Sequence, residues 1–302
     1  MAAVTASTSG PRGWRIWWIA ARPRTLPVAI APVIVGSALA QAGPGARALP
    51  AAAALCTALL LQIGANLAND LFDHQKGVDG ADRIGPPRAM QLGLLDASAM
   101  GRGMLAVFGA AALCGLYLVW IGGWPIALVG ALSIAAALAY SGGPFALGDH
   151  GLGDLAVFLF FGVIAVCGSY YVQALCLPLS VLVISLPVGA LATAVLVVNN
   201  IRDLDSDARA GKRTLAVHLG PRASRIEFAL LTLLPFVVPA ALAVDAAAGI
   251  TPALPLLLLP WAIGLVRRVW TSRDGPALNA ALAATARLEL GFCGLLALGF
   301  LV

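Results

Sequence analysis

Long apolar runs dominate this chain, and short polar or Gly/Pro-rich connections separate each run from the next. A helix that crosses a bilayer needs roughly 17 to 25 predominantly apolar residues. Nine runs reach that length, at residues 25–42, 48–68, 103–121, 124–140, 154–175, 178–199, 226–246, 250–266 and 281–301. The pattern therefore predicts an all-α, polytopic membrane protein with about nine transmembrane helices.

The composition supports the same class. Of the 302 residues, 60% are hydrophobic and 11% are charged, and the mean hydropathy is +0.92, so a soluble protein of this size could not bury its apolar surface. We expect a disordered or interfacial N-terminal segment over residues 1–20 and a single transmembrane domain over residues 21–302. The sequence leaves the oligomeric state open.

The basic residues are sorted to one side of the predicted helices. With the N-terminus in the cytoplasm, only Arg47 and Arg287 of the 19 Lys and Arg residues fall outside the cytoplasmic segments. Lys and Arg near the ends of membrane helices are retained on the cytoplasmic side. The sorting predicts an integral cytoplasmic-membrane protein with its N-terminus inside. It also explains the net charge of +5 without a nucleic-acid partner.

Two acidic clusters, at residues 66–73 and 199–207, stand at the ends of apolar runs in a chain that has few other acids. Helical spacing places their polar residues on one face of each helix. These residues are Asn66, Asp70 and Asp73 in the first cluster and Asn199, Asp203 and Asp207 in the second. Carboxylates held close together repel one another, and oxygen ligands suit a hard cation such as Mg²⁺. We therefore predict two metal sites, both on the cytoplasmic side.

Such a site indicates a reaction class. Metal ions held by carboxylates, with Lys and Arg nearby, bind a diphosphate and stabilise its charge as it departs. In a cavity that faces lipid, the natural diphosphate ester is a polyprenyl diphosphate. Its ionisation leaves an allylic carbocation, which an electron-rich acceptor can capture while apolar walls exclude water.

Several motifs resemble those of the UbiA-type intramembrane prenyltransferases, most closely their 1,4-dihydroxy-2-naphthoate polyprenyltransferase branch, over nearly the whole chain. The paired aspartate motifs are specific for the superfamily, and the segments Arg-Pro-Arg-Thr-Leu-Pro and Gly-Lys-Arg-Thr-Leu favour the naphthoate branch. The segments that carry the resemblance are residues 21–27, 31–33, 66–79, 140–144, 151–154, 168–173, 199–203 and 211–215.

The resemblance implies a helical bundle around a central cavity open to the cytoplasmic face and to lipid. It also implies transfer of a polyprenyl group from polyprenyl diphosphate to 1,4-dihydroxy-2-naphthoate, with loss of the carboxylate, to give demethylmenaquinol in menaquinone biosynthesis. Two Mg²⁺ ions would bridge the diphosphate, held by Asn66, Asp70, Asp73, Asn199, Asp203 and Asp207.

The expected site comprises catalytic and substrate-binding residues. The catalytic residues are expected to be Asp70, Asp73, Asp203, Asp207, Lys212 and Tyr140. The substrate-binding residues are expected to be Arg22, Asn66, Asn69, Lys76, Arg88, Tyr171, Gln173, Asn199, Asn200 and Arg202. The chain departs from the superfamily pattern at Gly77, where an Asp is usual, and at Asp154, where the naphthoate branch usually has Glu. The roles of Asp79 and Asp154 stay open.

Three alternatives remain at this point. The acceptor ring could be 4-hydroxybenzoate, because cavity residues rather than metal motifs select it. CDP-alcohol phosphotransferases also use Asp-x-x-x-Asp for metals, but their Asp-Gly-x-x-Ala-Arg signature does not occur here. A cation-coupled transporter would place its acids near the midplane between inverted repeats, whereas these acids cluster on one side.

Overall fold

The computed structural model describes residues 13–43, 45–77, 84–244 and 250–302, and within them it contains nine helices that are long and apolar enough to cross a membrane. This confirms the predicted all-α architecture and the predicted number of spans. The nine are α1 (Trp14–Ala42), α2 (Ala48–Gln75), α3 (Ala97–Gly122), α4 (Trp124–Ser141), α5 (Gly153–Ala174), α6 (Leu179–Arg209), α7 (Leu215–Val244), α8 (Thr251–Thr271) and α9 (Gly275–Leu301).

The helices that carry the acidic clusters are longer than their apolar runs. Helix α2 continues to Gln75 and α6 continues to Arg209, so both clusters are helical throughout. Their polar residues therefore share one face of each helix, as the spacing predicted. Each cluster lies in the last turns of its helix, where a loop from a neighbouring part of the chain can reach it.

The loops after these two helices differ in structure, although apolar residues occur at helical spacing in both, over residues 92–100 and 215–219. Residues 215–219 do form the first turns of α7, before a break at Gly220, whose φ is 77°. Residues 89–95 form turns instead, and helix begins only at Ala97, where Asp96 caps α3 by accepting a hydrogen bond from Ala99 N.

Helix α1 is interrupted near its beginning. Residues Trp14–Ala21 form two turns of helix, and Arg22 then adopts a left-handed conformation with φ 50°. Pro23 starts a short 3₁₀ turn, after which the helix resumes at Leu26. A non-glycine residue in this region is strained and persists only where neighbours hold it. Residues 22–25, at this break, line a cavity inside the bundle.

The buried core centres on α6. Val188, Leu191, Ala194 and Val198 of this helix are fully buried, and they pack with residues of α1, α5, α8 and α9. Two small residues allow α5 to approach α6 closely. A Cβ atom built on Gly162 would lie 2.2 Å from the Cα of Gly189. At this crossing α5 is a π-helix over Phe158–Ile164, an irregularity that is frequent at functional sites.

The close crossing makes a testable prediction for stability. Gly162→Ala should lower the free energy of unfolding by roughly 1–3 kcal/mol, because the new methyl group overlaps α6 and the helices must separate. Gly109→Ala in α3 is the matched control, since a Cβ built there meets no atom within 4 Å other than those of its chain neighbours and of the nearby backbone of its own helix. Thermal unfolding of the detergent-solubilised variants measures both changes. Equal midpoints for the two variants would contradict the packing described here.

Candidate active site

A cavity of about 1200 Å³ lies inside the bundle. Its wall is formed by α1 to α6 and α9, together with the loops after α2, α4 and α6. The charged residues of the wall come from the ends of helices, the break in α1 and these loops. They are Arg22, Arg24, Asp73, Arg88, Asp149, Arg202, Asp203, Asp207 and Lys212. The cavity therefore has one highly polar end.

The rest of the wall is apolar. Helices α3 and α4 contribute mainly small and aliphatic side chains, such as Ala111, Leu118 and Ile126. From α5 the π-helix contributes Phe160 and Phe161. A long hydrocarbon chain could occupy this part of the cavity while its charged group remained at the polar end.

Hydrogen bonds from α2 hold the break in α1. Asn66 Nδ2 donates to Ala21 O at 2.9 Å and to Thr25 Oγ1 at 3.0 Å. Gln62 Nε2 donates to Thr25 Oγ1 at 3.1 Å and to Asn66 Oδ1 at 3.3 Å. The Asn66 amide thus has protein partners on both its nitrogen and its oxygen. In this structure Asn66 positions Arg22 rather than facing the cavity with a free oxygen.

The first acidic cluster is bound to the loop that follows α2. Arg88 Nη1 donates to Asp73 Oδ2 at 2.6 Å, and both side chains are at least nine-tenths buried. Asp70 is fully buried and is not part of the cavity wall; its Oδ2 accepts a hydrogen bond from Ala89 N at 3.2 Å. Asp70 therefore fixes the loop that presents Arg88 to Asp73.

A chain of alternating charges continues from Asp73 across the polar end. Lys212 Nζ lies 3.3 Å from Asp73 Oδ1 and 3.8 Å from Asp149 Oδ1. Lys76 Nζ lies 2.6 Å from Asp149 Oδ2. These contacts join the end of α2 to the loop between α4 and α5 and to the loop after α6. Opposite charges at such distances offset the repulsion among the carboxylates.

The second cluster is organised by Arg202, which is 5% exposed. Its guanidinium forms a two-point contact with the carboxylate of Asp203 and also donates to Asn199 Oδ1 at 2.9 Å and to Asn279 Oδ1 at 2.7 Å. Arginine suits this role because its planar group presents several donors in fixed directions. Asp207 lies one turn beyond Asp203, also on the cavity wall.

Tyr140 lies on the cavity wall at the end of α4, close to the polar end. The next residue, Ser141, donates a hydrogen bond from Oγ to Asn69 Oδ1 at 2.7 Å, which ties α4 to the first cluster. Gly153 makes room for the phenol, because a Cβ built on it would lie 3.1 Å from the Tyr140 hydroxyl oxygen. The phenol ring and its hydroxyl group therefore lie where the polar end of the cavity begins.

Most of the residues expected from the sequence lie together on this wall. They are Arg22, Asn66, Asn69, Asp73, Arg88, Tyr140, Asn199, Asn200, Arg202, Asp203, Asp207 and Lys212.

Four expected site residues, Asp70, Lys76, Tyr171 and Gln173, are not part of the wall. Tyr171 donates its hydroxyl proton to Gly122 O at 3.2 Å, and Gln173 Nε2 donates to Ser37 Oγ and Ser169 O. Both side chains thus connect helices of the bundle. Lys76 contacts the wall through Asp149.

Two further acids were left open by the sequence. Asp154 is buried at the start of α5 and is not part of the cavity wall. Asp79 lies outside the described residues.

Other wall residues were not anticipated. Asp149 is a lone acid in the loop between α4 and α5, and the scarcity of acids in the chain was the one signal that could have drawn attention to it. Thr25, Gln62 and Asn279 bind site residues rather than reacting groups, so their importance depends on helix packing that the sequence does not show.

The donor set fits a hard cation in part. Asp73, Asp203 and Asp207 supply carboxylate oxygens on one cavity wall, which is the chemistry that Mg²⁺ prefers. Within the described residues, no three His, Cys, Asp or Glu side chains are close enough to hold an ion by themselves. An ion here would need further oxygen ligands, and the phosphate groups of a substrate are the kind of ligand that completes such a site.

The family model and the relatives that match this chain indicate the same family. Residues 29–290 match the model of the UbiA prenyltransferase family. A 1,4-dihydroxy-2-naphthoate octaprenyltransferase from Haemophilus influenzae is 37% identical, over 95% of this chain and 96% of that protein. The proteins of the same name from Escherichia coli and Mycobacterium tuberculosis are 39% and 41% identical, over 90% and 83% of this chain and 90% and 81% of their own lengths.

Solved structures share the fold. A UbiA homolog from Archaeoglobus fulgidus bound to DMAPP and Mg²⁺ superposes with a TM-score of 0.68, covering 93% of this chain and 98% of that one, at 14% identity. The apo structure of a UbiA homolog from Aeropyrum pernix gives a TM-score of 0.67 at 14% identity, covering 90% of this chain and 96% of that one. At such low identity the likeness concerns the helical bundle alone.

The bracing of α1 by Asn66 can be tested directly. Asn66→Ala removes the donors to Ala21 O and Thr25 Oγ1, and we expect it to lower the free energy of unfolding by about 1–3 kcal/mol. Thr25→Ala removes the shared partner, so the double variant should lose less than the sum of the two single losses. Strictly additive losses in thermal or denaturant unfolding would show that the two side chains do not interact.

Proposed function

We propose that this chain, which belongs to the UbiA prenyltransferase family, transfers a polyprenyl group from polyprenyl diphosphate to 1,4-dihydroxy-2-naphthoate. The observation that carries the proposal is the cavity itself, with paired acidic helix ends and four arginines at one end and an apolar wall beyond them. The names of relatives that are 37–41% identical over most of the chain support the same acceptor.

The polar end would bind the diphosphate. Arg22, Arg88, Arg202 and Lys212 supply positive charge on the wall, and Lys76 lies directly behind it. Asp73 would hold one Mg²⁺ ion, with Asp70 fixing the adjoining loop, and Asp203 with Asp207 would hold a second. When bound, Mg²⁺ neutralises charge on the diphosphate as it departs. Arg88 and Arg202 bind oxygens of Asp73 and Asp203, which are the oxygens that the metal ions would need. We therefore expect both arginines to turn toward phosphate oxygens in the complex.

The apolar wall would receive the polyprenyl chain and keep water from the reacting carbon. The hydrocarbon would lie against α3, α4 and the π-helix of α5, where Phe160 and Phe161 contribute large apolar surfaces. Exclusion of water matters because water would compete with the acceptor for an allylic cation.

Tyr140 would act where the polar and apolar parts of the wall meet. The negative face of an aromatic ring attracts a nearby cation, so the phenol ring would stabilise positive charge on the allylic fragment. In the reaction, the C1–O bond breaks with its electron pair leaving on the diphosphate, and a carbon–carbon bond forms between C1 and the acceptor ring. The ring then loses its carboxylate as CO₂, giving demethylmenaquinol for menaquinone biosynthesis.

The protein is an integral membrane protein, and we propose that its polar cavity end faces the cytoplasm. The charged wall residues lie on the side where the positive-inside rule places the basic loops. A water-soluble naphthoate would then enter from the cytoplasm, while the polyprenyl chain would enter from the lipid. The bilayer is thus one of the protein's partners.

The function is tested by prenyl transfer in detergent. The purified protein would receive a polyprenyl diphosphate and equal amounts of 1,4-dihydroxy-2-naphthoate and 4-hydroxybenzoate, with Mg²⁺ or with EDTA. We expect a decarboxylated prenyl-naphthoquinol that forms only with Mg²⁺. A prenylated benzoate would contradict the acceptor assignment, and no product with either acceptor would contradict prenyl transfer and return attention to a transporter.

The role of the second cluster can be tested by one substitution. Asp207→Asn should reduce transfer at least about 100-fold, because it removes a carboxylate that we assign to a metal ion. Asp205→Asn on the same helix is the matched control, since Asp205 is exposed, is not part of the cavity wall and loses the same charge. Similar turnover by the two variants, both with wild-type thermal stability, would exclude Asp207 from the site.

A further inference from the structure

Asp149 occupies a distinctive place in the loop between α4 and α5. It lies in a 3₁₀ turn, Gly148–His150, and its backbone oxygen accepts a hydrogen bond from Arg213 N at 2.8 Å. This bond ties the loop to the segment that follows α6. The Asp149 side chain is therefore held at the polar end of the cavity by a backbone that is itself anchored.

The Asp149 carboxylate contacts two lysines at once. Its Oδ2 lies 2.6 Å from Lys76 Nζ, and its Oδ1 lies 3.8 Å from Lys212 Nζ. The side chains of Asp149 and Lys212 are 19% and 15% exposed, so water screens their interaction only partly. Lys76 has no other ion-pair partner in the part of the chain that the structure describes.

We infer that Asp149 is a positioning residue that serves as an internal counter-ion, holding Lys76 and Lys212 where the phosphate groups of the substrate will replace it. The inference rests on the proposed function, since it assumes that these lysines bind a diphosphate. A carboxylate and a phosphate present the same kind of anionic oxygen to an ammonium group. Asp149 thus keeps the lysines in place before the substrate binds and competes with it for them.

The competition predicts a direction of change in the affinity for diphosphate that a purely structural role of Asp149 would not produce. A diphosphate must displace Asp149 from both lysines, and the freed carboxylate then stands beside bound phosphate as a like charge. Removing this charge should therefore strengthen diphosphate binding. It should also slow the release of diphosphate after the reaction, so that KM for the prenyl diphosphate and kcat fall together.

The test uses the full-length protein in detergent and inorganic pyrophosphate in the presence of EDTA, so that neither acceptor nor metal is required. We expect Asp149→Asn and Asp149→Ser to bind pyrophosphate about three- to tenfold more tightly than the wild type, as two partly exposed ion pairs suggest. Asp149→Glu, which keeps the charge, should restore the wild-type affinity, and Asp205→Asn should leave it unchanged.

The contrary results are equally definite. Unchanged or weaker pyrophosphate binding by the folded Asn and Ser variants would overturn the counter-ion role and leave the proposed function intact. No pyrophosphate binding by the wild type or by the Asn and Ser variants would also overturn the inference, whereas the proposed function, in which Mg²⁺ helps to bind the diphosphate, is tested separately by prenyl transfer. A gain in affinity that Asp149→Glu also shows would assign the effect to loop packing and would overturn the inference as well.

Discussion

Electrostatic balance among the acids at the ends of α2 and α6 is the constraint on which the site depends. Carboxylates so close together, beside apolar helices, repel one another and are costly to bury. Arg88 and Lys212 offset the charge of Asp73, and Arg202 offsets that of Asp203. Arg88 lies in the loop after α2, Lys212 lies in the loop after α6, and Arg202 is bound by Asn279 of α9. The charge balance therefore also joins the loops to the helices.

The same balance explains how the folded site can be prepared for a highly charged substrate. Arg88 and Lys212 are held by Asp73, and Arg202 is held by Asp203, so these basic residues are bound to carboxylates that would hold metal ions. Asp149 holds Lys76 and also lies near Lys212. When the substrate and the metal ions bind, the basic residues would turn to the phosphate oxygens and the carboxylates would turn to the metal ions. The apolar wall beyond Tyr140 then confines the reacting carbon away from water.

Helix content, the number of spans and the family followed from the sequence because each depends on local pattern. Most of the site followed too, since residue type and helical spacing identified Asp73 at the end of α2 and Asp203 with Asp207 at the end of α6, and all three line the cavity. Spacing could not show which side of a helix faces the cavity. For that reason it did not reveal that Asp70 stabilises a loop or that Gln173 connects helices. Asp149 escaped notice because its role arises from a contact 73 residues away in the chain.

The most direct test of the central claim is a structure of the protein with a non-reactive prenyl diphosphate analogue and Mn²⁺, whose anomalous scattering locates the ions. The account predicts Mn²⁺ at the polar end of the cavity, coordinated by Asp73 on one side and by Asp203 or Asp207 on the other, with phosphate oxygens completing each site. Arg88 and Arg202 should have turned to the diphosphate. Mn²⁺ bound elsewhere, or a diphosphate bound away from these carboxylates, would contradict it.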